Sequence, residues 1–189
     1  MRLLVGSLVV GALVCMVSAV GAAELKSGLQ AGDEVQPFNV VKCSGAIDDG
    51  VKLGEELCYR CRYGNKPVVM VFARQTDPAL ATLVKELDQL IAKNESKKFS
   101  AFVNLIGTDQ KALEVKAKEL GTKNKVERVP VVVPVDLPNG PESYKINPEA
   151  NVTVLIYKNG TVEANHAIAG KLAEDHVKSI VADTAKILN

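Results

Sequence analysis

Short apolar runs alternate with amphipathic stretches through the middle of the chain. Lys66–Ala73 (KPVVMVFA), Phe99–Ile106 (FSAFVNLI) and Val129–Pro134 (VPVVVP) are nearly continuous in apolar residues, the pattern of strands covered on both faces of a sheet. Between the first two, Leu80, Leu83, Val84, Leu87, Leu90 and Ile91 recur at helical spacing and form one stripe. Asp77 is placed to cap that helix, and Pro78 falls at its first position, where the missing N–H costs nothing. Asp109 is the expected cap of a second helix, with Ala112, Leu113, Ala117 and Leu120 on one face and Gly121 as its stop.

The flanking segments complete the order. Phe38–Cys43 reads as a strand, and Ser44–Glu56, rich in Gly and Asp, as turns with at most a short strand at Val51–Leu53. The prolines of Val129–Pro134 suit a sheet edge or strand ends. Leu137–Ala150 is a Pro/Gly/Asn-rich connection. Val152–Tyr157 and Thr161–Ile168 flank Asn159-Gly160, a strong hairpin signal, and Lys171–Leu188 closes the chain as a helix with Val177, Ile180, Val181 and Leu188 inward. Alternating strand and helix followed by a hairpin and a last helix predicts an α/β protein: a mixed sheet of five to seven strands in three layers, with helices on both faces.

Composition adds a compartment. Of 189 residues, 47% are hydrophobic and 24% charged, enough for one domain with a core. Arg2 precedes an uncharged, mostly apolar run, Leu3–Ala23, ending in small residues that fit a cleavage site. We read 1–23 as a secretory signal peptide, 24–36 as a polar lead-in and 37–189 as the domain; an uncleaved anchor is the competing reading of the first segment. Val14 before Cys15 argues against a lipid-modified cysteine. The signal carries only the Arg2 charge, so the mature chain balances 22 cations against 22 anions. With no basic excess and no Trp, nucleic acid is not an expected partner. After signal removal neither is a membrane, and the protein is expected to be exported, periplasmic or secreted.

Three cysteines remain, Cys43, Cys58 and Cys61. Cys58-Tyr59-Arg60-Cys61 has the spacing that closes a disulfide within one turn, and Arg60, Arg62 and Lys66 would stabilise a thiolate. Three readings are open: a structural disulfide, either Cys58–Cys61 or one of these to Cys43; a redox-active pair; or a metal half-site. The last needs further ligands, such as Cys43 and His166, which no spacing brings together. We expect no cofactor and no bound metal. His166 and His176 read as ordinary structural or surface histidines, Asp48-Asp49 as a turn, and Asn94, Asn151 and Asn159 as triplets matching the glycosylation pattern.

Several segments in order resemble the thioredoxin-like superfamily, nearest its thiol-peroxidase (AhpC/TSA-type) arm. Gly32-Asp33-x-x-x-Pro37-Phe38 resembles that arm's opening with one residue more. Lys66-Pro67-Val68-Val69-Met70-Val71-Phe72 resembles its central strand. Pro130-Val131, Tyr144-Lys145-Ile146 and Thr153–Gly160 resemble its later sections. The resemblance implies a reactive cysteine at the turn after the central strand, and that turn here is Thr76-Asp77-Pro78-Ala79. The nucleophile's position falls on Ala79, and the cis-proline position on Val152. Without a thiolate there is no attack on peroxide or disulfide at that place. The Cys58/Cys61 pair lies before the strand instead, roughly 25 Å away at about 3.3 Å per residue. Two functions follow: thiol-disulfide exchange through the displaced pair with a thiol, disulfide or protein partner, or a non-catalytic binding module with a structural disulfide.

Overall fold

The computed structural model describes residues 25–136 and 138–189; the expected signal segment lies outside the described residues. The chain runs β1 (Val40–Ser44), β2 (Glu56–Leu57), α1 (Tyr59–Tyr63), β3 (Val68–Ala73), α2 (Pro78–Lys93), β4 (Ser100–Leu105), α3 (Gln110–Lys123), β5 (Val131–Pro134), β6 (Val152–Lys158), β7 (Thr161–Ile168), α4 (Glu174–Asp183) and α5 (Ala185–Leu188). All seven strands join one sheet in the order β2-β1-β5-β4-β3-β6-β7. β3, β4 and β5 are parallel, while β1 and the β6–β7 hairpin are antiparallel to their neighbours.

β3 is central, and its composition follows from that. Val69, Val71 and Ala73 point to one face and Val68, Met70 and Phe72 to the other. Both faces are covered, so every position is apolar. The two crossovers β3–α2–β4 and β4–α3–β5 step in the same direction across the sheet, so right-handed connections put α2 and α3 on the same face. There Leu80, Leu83, Val84 and Leu87 of α2, Ala117 and Leu120 of α3, Ile180 of α4 and Ile187 of α5 share one core. Among the described residues the other face carries α1, a single 3-10 turn at Glu142–Tyr144 and extended chain. Leu29, Val35, Phe38, Tyr59 and Tyr144 cover it, packed on Phe72 and Phe102. Helices thus lie on both faces of the α/β sheet, unequally.

The caps fall where the residues placed them: Asp77 Oδ1 accepts from Leu80 N at 2.8 Å and Asp109 Oδ1 from Ala112 N at 3.0 Å. Asn159 (φ 55°) and Gly160 (φ 83°) turn the hairpin in the left-handed region.

Other boundaries differ. α3 does not stop at Gly121 but runs to Lys123, and Gly121 is buried where the helix crosses Ser44. A side chain there would collide with Ser44, whose hydroxyl donates to Ala117 O at 2.7 Å. β5 lies inside the sheet, its prolines confined to the strand's ends. The short strand is Glu56–Leu57 rather than 51–53. The closing helix breaks at Thr184, whose hydroxyl donates to Val181 O at 2.7 Å.

Candidate functional site: a disulfide before the central strand

The turn after β3, where the resemblance places the reacting cysteine, is filled by other chemistry. Ala79 is half-buried in the first turn of α2, and Val152 pairs with Ala73 directly beside it. Between them Arg74 reaches across the sheet end, donating to Ala150 O (2.9 Å), Asn139 Oδ1 (2.8 Å) and Asn147 O (3.3 Å). Burial works against its charge and lowers its pKa. This end holds a structural clamp, with no sulfur in it.

The sulfurs are at the other end of β3. Cys58 and Cys61 form a disulfide with Cα atoms 5.2 Å apart, inside the usual range for such a bond. Cys58 is the N-cap of α1 and its Sγ accepts the Cys61 N–H at 3.0 Å. Cys58 is half-buried and Cys61 exposed, so the two halves of the bond differ: Cys61 is the solvent-side residue and the Cys58 sulfur is held by a backbone donor.

Five residues make too short a helix to stand alone, and α1 is held from below. Tyr59, 1% exposed, and Tyr63 both pack on Phe102, with ring centroids 5.8 and 5.9 Å away. The Tyr59 hydroxyl donates to Asp49 Oδ2 at 2.5 Å. Asp49 Oδ1 accepts Lys42 Nζ at 2.6 Å and Val51 N at 2.8 Å, and the Asp49 carbonyl accepts Arg62 Nη2 at 2.6 Å. Lys42 is only 2% exposed and sits in the middle of β1, yet its ammonium is saturated. Besides Asp49 it donates to Ala46 O (2.8 Å) and Val51 O (2.9 Å), using all three protons. Burial pushes the Asp49 pKa up, but the hydrogen bonds from Lys42, Tyr59 and Val51 outweigh it, and the net direction is down. Burial and the neighbouring Asp49 together raise the Tyr59 phenol well above its ordinary value.

Asp49, read from the sequence as part of a turn, is therefore the anchor of the cysteine helix. The signal that pointed to it was Lys42, a cation inside an apolar strand that must find an anion.

Cys43 joins neither sulfur. It packs into the four-helix face, while α1 lies on the other. Burial, and secondarily Glu114, push its thiol up to about 12, so it remains a protonated free thiol at neutral pH. His166 is on the edge strand β7, its Nε2 3.0 Å from Asp183 Oδ2. Five strand spacings separate β1 from β7, roughly 24 Å, so Cys43 and His166 do not meet. Among the described residues no group of three His, Cys, Asp or Glu side chains converges to hold a metal.

No family model matches the chain, and no curated protein matches it in sequence. Solved structures do match in shape. The AhpC of Mycobacterium tuberculosis superposes with a TM-score of 0.60 at 14% identity, covering 85% of this chain and 99% of that one. The thioredoxin domain of a thiol-disulfide oxidoreductase from Bacteroides vulgatus gives 0.57 at 14% identity, over 85% and 99%. A thiol peroxidase from Chromobacterium violaceum gives 0.54 at 8% identity, over 86% and 90%. The chain has the thioredoxin-like fold. It carries within that fold a Cys-x-x-Cys disulfide on the segment leading into the central strand.

Proposed function

We propose that the Cys58–Cys61 pair is a thiol-disulfide exchange site of an exported protein, displaced to the end of β3 opposite the one the superfamily resemblance implies. The carrying observation is the asymmetry of the pair: Cys61 is exposed, whereas Cys58 is half-buried and its Sγ accepts the Cys61 N–H. A partner thiolate attacks Cys61 Sγ in line with the S–S bond. A mixed disulfide forms, the Cys58–Cys61 bond breaks, and its electron pair leaves on Cys58. The Cys61 N–H, already bonded to Cys58 Sγ, is placed to stabilise the negative charge that develops there as the bond breaks. A second thiol of the partner then displaces Cys61, so the partner's dithiol becomes a disulfide and the pair is reduced by two electrons. The fold of the oxidoreductase neighbours supports a thiol or disulfide partner. The apolar run at 3–23 supports export into a compartment where a disulfide persists. Among the described residues, no helix is long and apolar enough to cross a membrane.

The alternative, a non-catalytic binding module stapled by this bond, has less to stand on. Closing a loop of four residues contributes about 2 kcal/mol in the chain-entropy account, and α1 is already anchored through Tyr59, Tyr63 and Asp49.

Mixing the oxidised native protein with a dithiol separates the two. Exchange predicts one dithiol oxidised per chain, with new alkylation at Cys58 and Cys61 and the Cys43 thiol unchanged in number. A bond that the dithiol opens only after denaturant is added would favour the staple.

A further inference from the structure

The segment that carries the pair has no anion of its own. From Leu57 to Thr76 the charged residues are Arg60, Arg62, Lys66 and Arg74, and three of these four lie within five residues of Cys61. What they are bonded to matters more than their number. Arg60 Nε donates to Val35 O at 3.2 Å and Arg62 Nη2 to Asp49 O at 2.6 Å, both neutral carbonyls. Lys66 Nζ lies 5.6 Å from the centre of the Tyr63 ring. Among the described residues none of the three takes part in an ion pair. Their side chains are thus oriented without being neutralised.

The acids nearby offset this charge only in part. The Asp49 carboxylate, 18% exposed, is turned to Lys42 and Tyr59 and balanced by the Lys42 charge. Glu55 accepts from Lys52 N at 3.1 Å and Glu56 from Asn39 Nδ2 at 2.8 Å, both neutral donors, so these two carboxylates keep their charge and offset part of that of the cations. From Glu55 to Lys66 three uncompensated cations stand against two carboxylates, so the segment around the exposed Cys61 keeps a net positive charge, with the cations on the side of Cys61, in a protein whose overall charge is close to balanced.

We propose that this end of the molecule selects thiol and disulfide partners that carry negative charge beside the reacting sulfur. The proposal rests on the exchange reading and narrows its substrate class. Uncompensated cations raise the local concentration of an anionic partner and stabilise the charge spread over three sulfurs as the bond changes hands. A cationic partner meets repulsion from Arg60, Arg62 and Lys66 together.

The test reduces the oxidised protein with three small thiols, 3-mercaptopropionate (anionic), 2-mercaptoethanol (neutral) and cysteamine (cationic), with rates expressed per thiolate. The expected order is anionic, neutral, cationic, with a span of about tenfold at low salt. The span should collapse at about 0.5 M salt, where screening acts over only a few ångströms. Arg62→Gln and Lys66→Gln should each narrow the span, and Lys85→Gln, on α2 across the sheet, should leave it. Equal rates for the three thiols at low salt, or a Lys85→Gln effect as large as the other two, would overturn charge selection while leaving exchange intact. A bond that none of the three thiols opens would overturn the exchange reading and this one with it.

Discussion

At its C-terminal end β3 runs into Arg74, whose guanidinium ties the loops at Asn139, Asn147 and Ala150 together; at its N-terminal end it follows a five-residue helix with a disulfide on its outer side. Both ends use a cation that donates to carbonyl oxygens, half-buried Arg74 at one and buried Lys42, which is also paired with Asp49, at the other, but to different results. Arg74 closes the place where the resemblance implies chemistry. Lys42, through Asp49, builds a base under the cysteines and leaves Cys61 exposed. A fold offers more than one place to mount a site, and what a site does is decided by the residues mounted there.

Substitutions at each end of the strand, and one change of pH, test that contrast. The largest effect belongs to the sulfurs. Cys58→Ser or Cys61→Ser should abolish two-electron exchange outright in a dithiol-oxidation assay, and Ala79→Cys, which places a thiol at the opposite end, should not restore it. Next is the buried ion pair. Lys42→Met leaves Asp49 without its cation and should cost about 3 kcal/mol in urea unfolding. The double variant Lys42→Met/Asp49→Asn should lose less than the sum of the single losses, because the two groups share one interaction. Tyr59→Phe removes a single hydrogen bond to a charged acceptor and should cost about 1.5 kcal/mol. Tyr59 is part of the same base, so this variant should also change the rate at which the disulfide opens. Arg74→Gln, at the far end, should lower stability without changing that rate.

The smallest effect is acid dependence. The folded pKa of Asp49 is lowered from its ordinary 3.8, so its contribution is fully present above that value. It is lost as the pH falls through the lowered folded one. The stability difference between the native chain and Asp49→Asn should therefore be constant from neutrality to about pH 5 and shrink below pH 3.8. A difference that holds unchanged to pH 2 would mean that the carboxylate does not anchor Tyr59 and Lys42 as an anion.

Much of this frame was legible from local chemistry. Asp77 with Pro78, Asp109, and Asn159-Gly160 act within three residues of themselves, and each fixed a boundary that the structure keeps. The apolar runs identified the parallel strands because burial on both faces leaves no alternation to misread. What was not legible depends on contacts distant in sequence. α1 is too short to show a helical period and exists because Tyr59 and Tyr63 find Phe102, about forty residues on. Gly121 looked like a helix stop, but its missing side chain serves a close approach to Ser44 across the fold. The cysteine pair was visible as a motif. Its base was not, since Asp49 is joined to Lys42 and Tyr59 only when the loop between β1 and β2 folds back over the sheet edge.

A redox titration of the purified protein, counting alkylated thiols by mass at each glutathione poise, separates exchange from a structural bond. Under exchange, Cys58 and Cys61 become free together in the range of roughly −180 to −250 mV, where exchange proteins work, with Cys43 a free thiol throughout. A Cys58–Cys61 bond that persists below about −300 mV would contradict it and make the disulfide a structural staple.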